Sequence, residues 1–369
     1  MDQSVLNLIY LASSIVNGRT IDVKRISNLD LDSLFQTACF HQMTSVIAFA
    51  LDSAGIKDDR FTEEKYRTVA QHVVLDTERK EITTELEKAG IWYLPLKGMV
   101  IRNYYPNIAM RQMCDNDILY DADFSLKVNS IMETHGFRRV PPDGIEHQEV
   151  YTKPPFCVFE MHPMLFDTWT DENYLKYYNS IQTKLIGEGA EKHLSNEDFY
   201  IYMITHEHKH YFWKGTGLRP LLDVYVFLKC FDGELNWNYI DSEIEKIGIG
   251  DFEKRNRSIA LKLFGNGNAD DIDKNETAML EYLIQSGAGG NNDNAIRNRM
   301  MIVGKLRYYK ERIFLPMKGV KYHYPLFHKY KILLPFLPVY RLLHGWKNAH
   351  KEIETIRSFS KEKKHKDTR

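Results

Sequence analysis

The chain has 369 residues, with 49 Lys plus Arg against 50 Asp plus Glu and a formal net charge of −1, a balance that excludes attachment to nucleic acid through overall charge. The 22 Tyr and 19 Phe exclude a chain too polar to bury a core. No apolar run reaches the ~20 residues of a membrane helix, the start Met1-Asp2-Gln3 lacks the basic residues of a secretory leader, and the scattered Cys39, Cys114, Cys157 and Cys230 read as free thiols of a reducing cytoplasm.

Residues 1–90 read as a helical region. Val5, Leu6, Ile9, Leu11 and Val16 give one apolar face that ends near Gly18. Asp30 to Met43 repeats the pattern with Leu31, Leu34, Phe35 and Cys39, and the longest helix runs from about Thr62 to Lys88, stopping at Gly90. No catalytic pattern stands in this stretch.

Residues 91–165 read as an α/β core. The apolar run Ile91–Leu96 is a strand that ends at Lys97-Gly98, and a short helical pattern follows until Tyr105-Pro106. A strand, a glycine turn and a helix start expose backbone N–H groups to an anion, with Gly98 admitting a phosphate and Lys97 adding charge. An ordinary strand-to-helix turn has the same composition. In Arg111-Gln-Met-Cys-Asp115-Asn-Asp117-Ile-Leu-Tyr120, a β conformation sets Arg111, Met113, Asp115 and Asp117 on one side. Two carboxylates so placed repel each other unless a cation lies between them, and Mg²⁺ takes oxygen ligands while leaving room for substrate phosphates. A turn with both acids in solvent is the plainer alternative.

Asp123–His135 is a helix closed by Gly136, Phe137–Val140 a strand and Pro141–Gly144 a loop. In the strand Phe156–His162, the residues Phe156, Val158, Glu160 and His162 share a face. A carboxylate within such a run is costly to bury unpaired, and Glu160 beside the Asp pair completes a two-metal cage; on an edge strand it would simply meet water. The fold class expected is α+β: a small mixed sheet with helices on one face, embedded in a mostly helical chain.

Residues 166–300 read as a helical domain. Ser195 caps a helix, with Asp198 three residues on. The run Phe199–Phe212 contains His206-Glu207-His208-Lys209-His210, literally the H-E-x-x-H of zinc peptidases, in which His206 and His210 grip the metal and Glu207 acts as base. No third ligand follows in a familiar arrangement, although Asp223 and Glu234 are available acids, so zinc hydrolysis ranks low. His206 and His210 lining a nucleotide cleft is the preferred role, with simple helix packing the alternative. Thr216–Asp223 leads into a helix from Leu221 to Phe231. There Arg219 has a phosphate or an acid within reach of its type, and Asp223 an orienting or ion-pairing role. Two Gly/Asn loops within 265–300 flank a further helix. The segment 301–369 is basic and aromatic (Arg307, Tyr308, Lys310, Arg312, Lys318, Lys321, Tyr322, His323), suited to an RNA acceptor, a triphosphate or plain surface, and ends in a charged tail from Lys361.

Taken together, these pieces resemble the nucleotidyltransferase superfamily that includes DNA polymerase β, and more nearly a bacterial group of nucleotidyltransferase family proteins. The resemblance rests on Leu96-Lys97-Gly98, Tyr105-Pro106, Arg111 ahead of Asp115 and Asp117, Glu160-Met161-His162, the histidines 206 and 210, Gly217 with Asp223, and a terminal Tyr324-Pro325, Leu334-Pro335 and Arg341. One departure stands out: the usual Gly-Ser after the first strand is Lys97-Gly98, without a hydroxyl. The resemblance implies transfer of a nucleoside monophosphate from an NTP to a hydroxyl acceptor, which can be a small molecule, a protein or an RNA end. Asp115, Asp117 and Glu160 would be catalytic and hold two Mg²⁺ ions, with Mn²⁺ an alternative. Lys97, Gly98, Arg111, His206 and His210 would meet the nucleotide. A non-catalytic nucleotide sensor on the same fold is the competing expectation.

Overall fold

In the computed structural model the described residues are 1–141, 147–166, 171–265, 271–303, 308, 310, 313–315, 317, 320 and 324–344. They divide into two compact units, one of Met1–Lys209 with Thr216–Ala288, the other of His210–Gly215 with Gly289–Arg369.

The first unit opens with α1 (Gln3–Val16), α2 (Leu31–Phe40), α3 (Thr44–Ser53) and α4 (Asp59–Lys88). Aspartates set three of the starts. Asp2, Asp30 and Asp58 each accept a hydrogen bond from backbone N–H groups that the first helical turn leaves without a partner. The long helix α4 ends where Gly90 takes a positive φ of 68°. Next come β1 (Tyr93–Pro95), a single helical turn α5 (Gly98–Ile101), β2 (Asn116–Tyr120), α6 (Ser125–Thr134), β3 (Arg138–Arg139), β4 (Glu149–Lys153) and β5 (Cys157–His162).

The sheet order is β1-β2-β5-β4-β3. Only β2 and β5 run parallel, with Asp117 opposite Glu160 and Leu119 opposite His162; the other pairs are antiparallel. The α+β class expected from the sequence is the class found. Alternation sorts the two faces. Ile118, Tyr120, Phe159 and Met161 point one way and pack with Leu75, Ile82 and Leu86 of α4 and Val128, Ile131 and Met132 of α6. Full burial of such a side chain contributes about 1.5–3 kcal/mol. The intervening residues, Asp117 and Glu160 among them, face the other way.

Helices complete the unit: α7 (Glu172–Tyr178), α8 (Asn196–Trp213, of which the stretch from His210 belongs to the second unit), α9 (Arg219–Phe231), α10 (Trp237–Ile247), α11 (Gly250–Ala260) and α12 (Lys274–Ser286). Ser195 caps α8 as expected, its hydroxyl accepting from Asp198 N at 3.1 Å. The amino-terminal helices join these later ones. Ser13 donates to the Phe264 carbonyl at 2.7 Å, and Tyr225 of α9 donates to Asn17 at 2.6 Å. In the second unit, α13 (Asn292–Val303) lies beside Tyr211 and Phe212 through Asn298, and α14 (Pro325–Lys329) and α15 (Leu337–His344) follow. Among the described residues no helix is long and apolar enough to cross a membrane, and the cysteines are free.

Three expectations change. The strand expected over Arg111–Tyr120 begins only at Asn116, so Arg111, Met113 and Asp115 lie on a loop. That loop is held by partners elsewhere: the Arg111 carbonyl lies 3.0 Å from His72 Nε2, and Gln112 accepts from Thr44 Oγ1 at 2.9 Å. The helix after Lys97-Gly98 is a single turn, too short to sum an appreciable dipole. An additional strand, β4, stands between β3 and β5. Residues Arg307, Arg312, Lys318, Lys321, Tyr322 and His323, the tail from Lys361 and most of the loop Pro141–Gly144 lie outside the described residues.

Candidate functional site

The parallel pairing of β2 with β5 brings two carboxylates side by side. Asp117 and Glu160 are register partners, and each strand has turned its apolar alternates into the opposite core. His162, two residues beyond Glu160, returns to the same face. Its Nε2 lies 3.0 Å from Asp117 Oδ1 and 3.9 Å from Glu160 Oε2. One ligand atom from each of Asp117, Glu160 and His162 falls within 4.8 Å of the others.

Lys97 caps this group. Its Nζ lies 2.6 Å from Asp117 Oδ1 and 3.4 Å from Glu160 Oε2. The backbone there is unusual: Lys97 holds φ 45° and ψ −121°, a region that favours glycine. It stands directly after β1, whose end is tied to β2 by Leu96 N donating to the Asp117 carbonyl at 3.0 Å. The second Glu160 oxygen accepts from Gln148 at 3.4 Å.

Charges in this space shift one another. Burial alone would raise Asp117, but the Lys97 ammonium and the His162 contact outweigh it and hold the carboxyl well below its usual range. Glu160 moves the other way, raised by burial and then by the Asp117 charge, so the pair keeps a proton more readily than two separate acids. Asp115, on the loop one step before β2, is pushed up to about 6 by burial and by Asp117, with Lys97, Arg219 and Arg111 opposing. Burial lowers His162 to about 4, so its ring is neutral near pH 7. Tyr202 of α8 is raised by burial and feels the charges of Lys97, Asp117 and Glu160.

Arg111 and Gly98 have other engagements. Arg111 grips Asp223 of α9 with two hydrogen bonds, at 2.8 and 2.9 Å, and Tyr105 donates to the same carboxylate at 2.8 Å; all three side chains are buried. A Cβ on Gly98 would lie 2.5 Å from Arg111 Nη1, so the space above Gly98 admits this guanidinium. Arg219 differs: it enters no ion pair among the described residues. Its Nη1 donates to Gln42, itself at φ 53°, while its buried Nε has no hydrogen-bond partner. Its charge nevertheless reaches Asp115.

The histidine helix divides. His206 stands 6.0 Å, ring to ring, from Tyr202, one turn earlier on α8. His210 belongs to the second unit, where its ring lies 6.3 Å from Trp213. The zinc-hydrolase alternative is not supported. The described residues that gather as metal ligands are Asp117, Glu160 and His162, not His206 and His210. Glu207 turns into the core, where neither carboxyl oxygen has a hydrogen-bond partner, although Asn256 faces it, and burial pushes it up to about 8. A protonated carboxyl in a dry core is no general base.

Asp115, Asp117, Glu160 and Lys97, all named from the sequence, are thus brought near one another by the fold, whereas His162 had been given no role. The signal was present in the alternation that set His162 on the face of Glu160. No curated protein and no solved structure matches the chain. A family described as "Uncharacterised nucleotidyltransferase" matches residues 27–265, a span that includes Lys97, Asp115, Asp117, Glu160 and His162, and the chain belongs to that family.

Proposed function

We propose that the chain is a metal-dependent nucleotidyltransferase that moves a nucleoside monophosphate from an NTP to a hydroxyl acceptor and releases pyrophosphate. The observation that carries this reading is the pairing of Asp117 with Glu160 across adjacent parallel strands in a chain of this family. Two carboxylates and a neutral imidazole are a donor set that fits a divalent cation. Asp117, Glu160 and His162 would hold it, with Asp115 beside them, and Mg²⁺ or Mn²⁺ bound there supplies charge for the phosphate oxygens and acidifies the acceptor hydroxyl.

The chain's own groups do the rest. Lys97 and Arg219 supply positive charge for the triphosphate and the departing pyrophosphate. The acceptor oxygen bonds to the α-phosphorus as the bond to pyrophosphate breaks, and its proton passes to a carboxylate of the group. Arg111 serves by fixing the loop that carries Asp115, through its hold on Asp223. Tyr202 and His206 form the wall over which a nucleotide lies.

The test is transfer of label from α-labelled NTPs, with Mg²⁺ or Mn²⁺, to acceptors in a cell extract. The expected result is labelled product from the wild type and a loss of about 10²–10³-fold in Asp115→Asn/Asp117→Asn. Equal labelling by the two proteins sinks the proposal.

A further inference from the structure

We infer that His162 is a metal ligand, and that this nitrogen makes the site take Mn²⁺ in preference to Mg²⁺. The inference rests on the nucleotidyltransferase reading and deepens it by choosing the ion.

Both ring nitrogens of His162 face oxygen acceptors. The residue is 2% exposed, and its Nδ1 is 3.2 Å from the backbone carbonyl oxygen of His147. A carbonyl oxygen only accepts, and so does Asp117 Oδ1, 3.0 Å from Nε2; without an ion Nε2–H donates to Asp117, and an ion bound at Nε2 would take that hydrogen's place while Nδ1–H turns to the His147 carbonyl. Nε2 lies 3.9 Å from Glu160 Oε2. One ligand atom from each of the three residues thus lies within 4.8 Å of the others. The cation standing at the two carboxylates is the Lys97 ammonium.

The separations have a ready meaning. Around an octahedral ion with bonds of about 2.1 Å, neighbouring ligand atoms lie about 3.0 Å apart and opposite ones about 4.2 Å. The spacings of 3.0 and 3.9 Å from Nε2 to the two carboxylates fall within those limits, as the spacings within one coordination sphere do. A ring N–H donated to a backbone carbonyl is also the outer contact that orients metal-binding histidines and strengthens them as ligands. Mg²⁺ prefers oxygen and gives up its waters reluctantly, whereas imidazole suits the first-row transition ions. Two carboxylates with one imidazole therefore favour Mn²⁺ beyond the small advantage it has at an all-oxygen site.

The test is calorimetric titration of the full chain with Mn²⁺ and, separately, Mg²⁺, each with and without a non-hydrolysable ATP analogue. Pulsed EPR of the Mn²⁺-loaded protein, grown with ¹⁵N-histidine, is read alongside. The expected result is Mn²⁺ bound about 100-fold more tightly than Mg²⁺, a ¹⁵N coupling to the ion, and loss of that coupling in His162→Gln, with the preference falling to about tenfold. The coupling is read on the wild type, so the outcome does not depend on how well the variant folds. If both ions bind but no ¹⁵N coupling is seen, or His162→Gln weakens both by the same factor, the inference fails and the transferase reading stands. If neither ion binds under any of these conditions, the inference and the metal-dependent reading fail together.

Discussion

Asp115 illustrates what a half-buried carboxylate costs its own fold. Its folded pKa of about 6 lies above the usual aspartate range, so the folded protein binds this proton more tightly than the unfolded chain does. Stability from this group is therefore full below about pH 4 and is lost as pH rises through about 6. Two units correspond to about 2.7 kcal/mol, and partial exposure of the loop screens part of it. Asp115→Asn should stabilise the metal-free protein by about 1–2 kcal/mol at pH 7.5 while transfer is lost. Urea denaturation at pH 7.5 and pH 4 checks this, and the gain should vanish at the lower pH. At Gly98 the expectation is opposite. A methyl there meets Arg111 Nη1 at 2.5 Å and Met113 Cγ at 3.2 Å, so Gly98→Ala should cost about 2–4 kcal/mol by disturbing a buried ion pair. An unchanged denaturation midpoint would refute that account.

Among the elements, the loop from Arg111 to Asp115 and the start of α9 depend on each other. Asp223→Ala leaves the Arg111 guanidinium buried and alone, and should cost about 3–5 kcal/mol. Tyr105→Phe removes one neutral donor from the same carboxylate and should cost about 1 kcal/mol. Melting curves of the two variants give the comparison, and equal losses would contradict it. The same loop shows where the sequence stops being legible. Its alternating residues read as strand; an apolar run located β1, and alternation located β2 and β5 and sorted the faces of β5. Yet Arg111 to Asp115 is shaped by His72, Gln112 with Thr44, and Asp223, partners far along the chain that no local pattern announces. Ser195, by contrast, was legible because a helix cap is a local bond. Strand β4 has charged ends and few apolar residues, so its place comes from pairing with β5 rather than from its own composition.

On the scale of the molecule, the proposed metal would be linked to folding. The atoms that would hold the cation come from β2 and β5, strands that meet only in the folded sheet, so an ion held there would bind the native state alone. Above saturation, each tenfold rise in free Mn²⁺ should add about 1.4 kcal/mol to stability. A melting series over Mn²⁺ concentration checks this, and Asp117→Asn should give a flat line. The acids and the lysine that the fold brings near one another could be named from the sequence because they sit at recognisable spacings. His162 and the Arg111–Asp223 pair needed coordinates, since their roles are set by what they touch.

Lys97 has a consequence beyond chemistry. An ammonium beside both Asp117 and Glu160 offsets part of their charge without any ion. A small zinc module collapses when starved of its metal; this chain carries its own placeholder. On the metal-dependent reading, the chain would outlast scarcity intact and would become active when the ion returns.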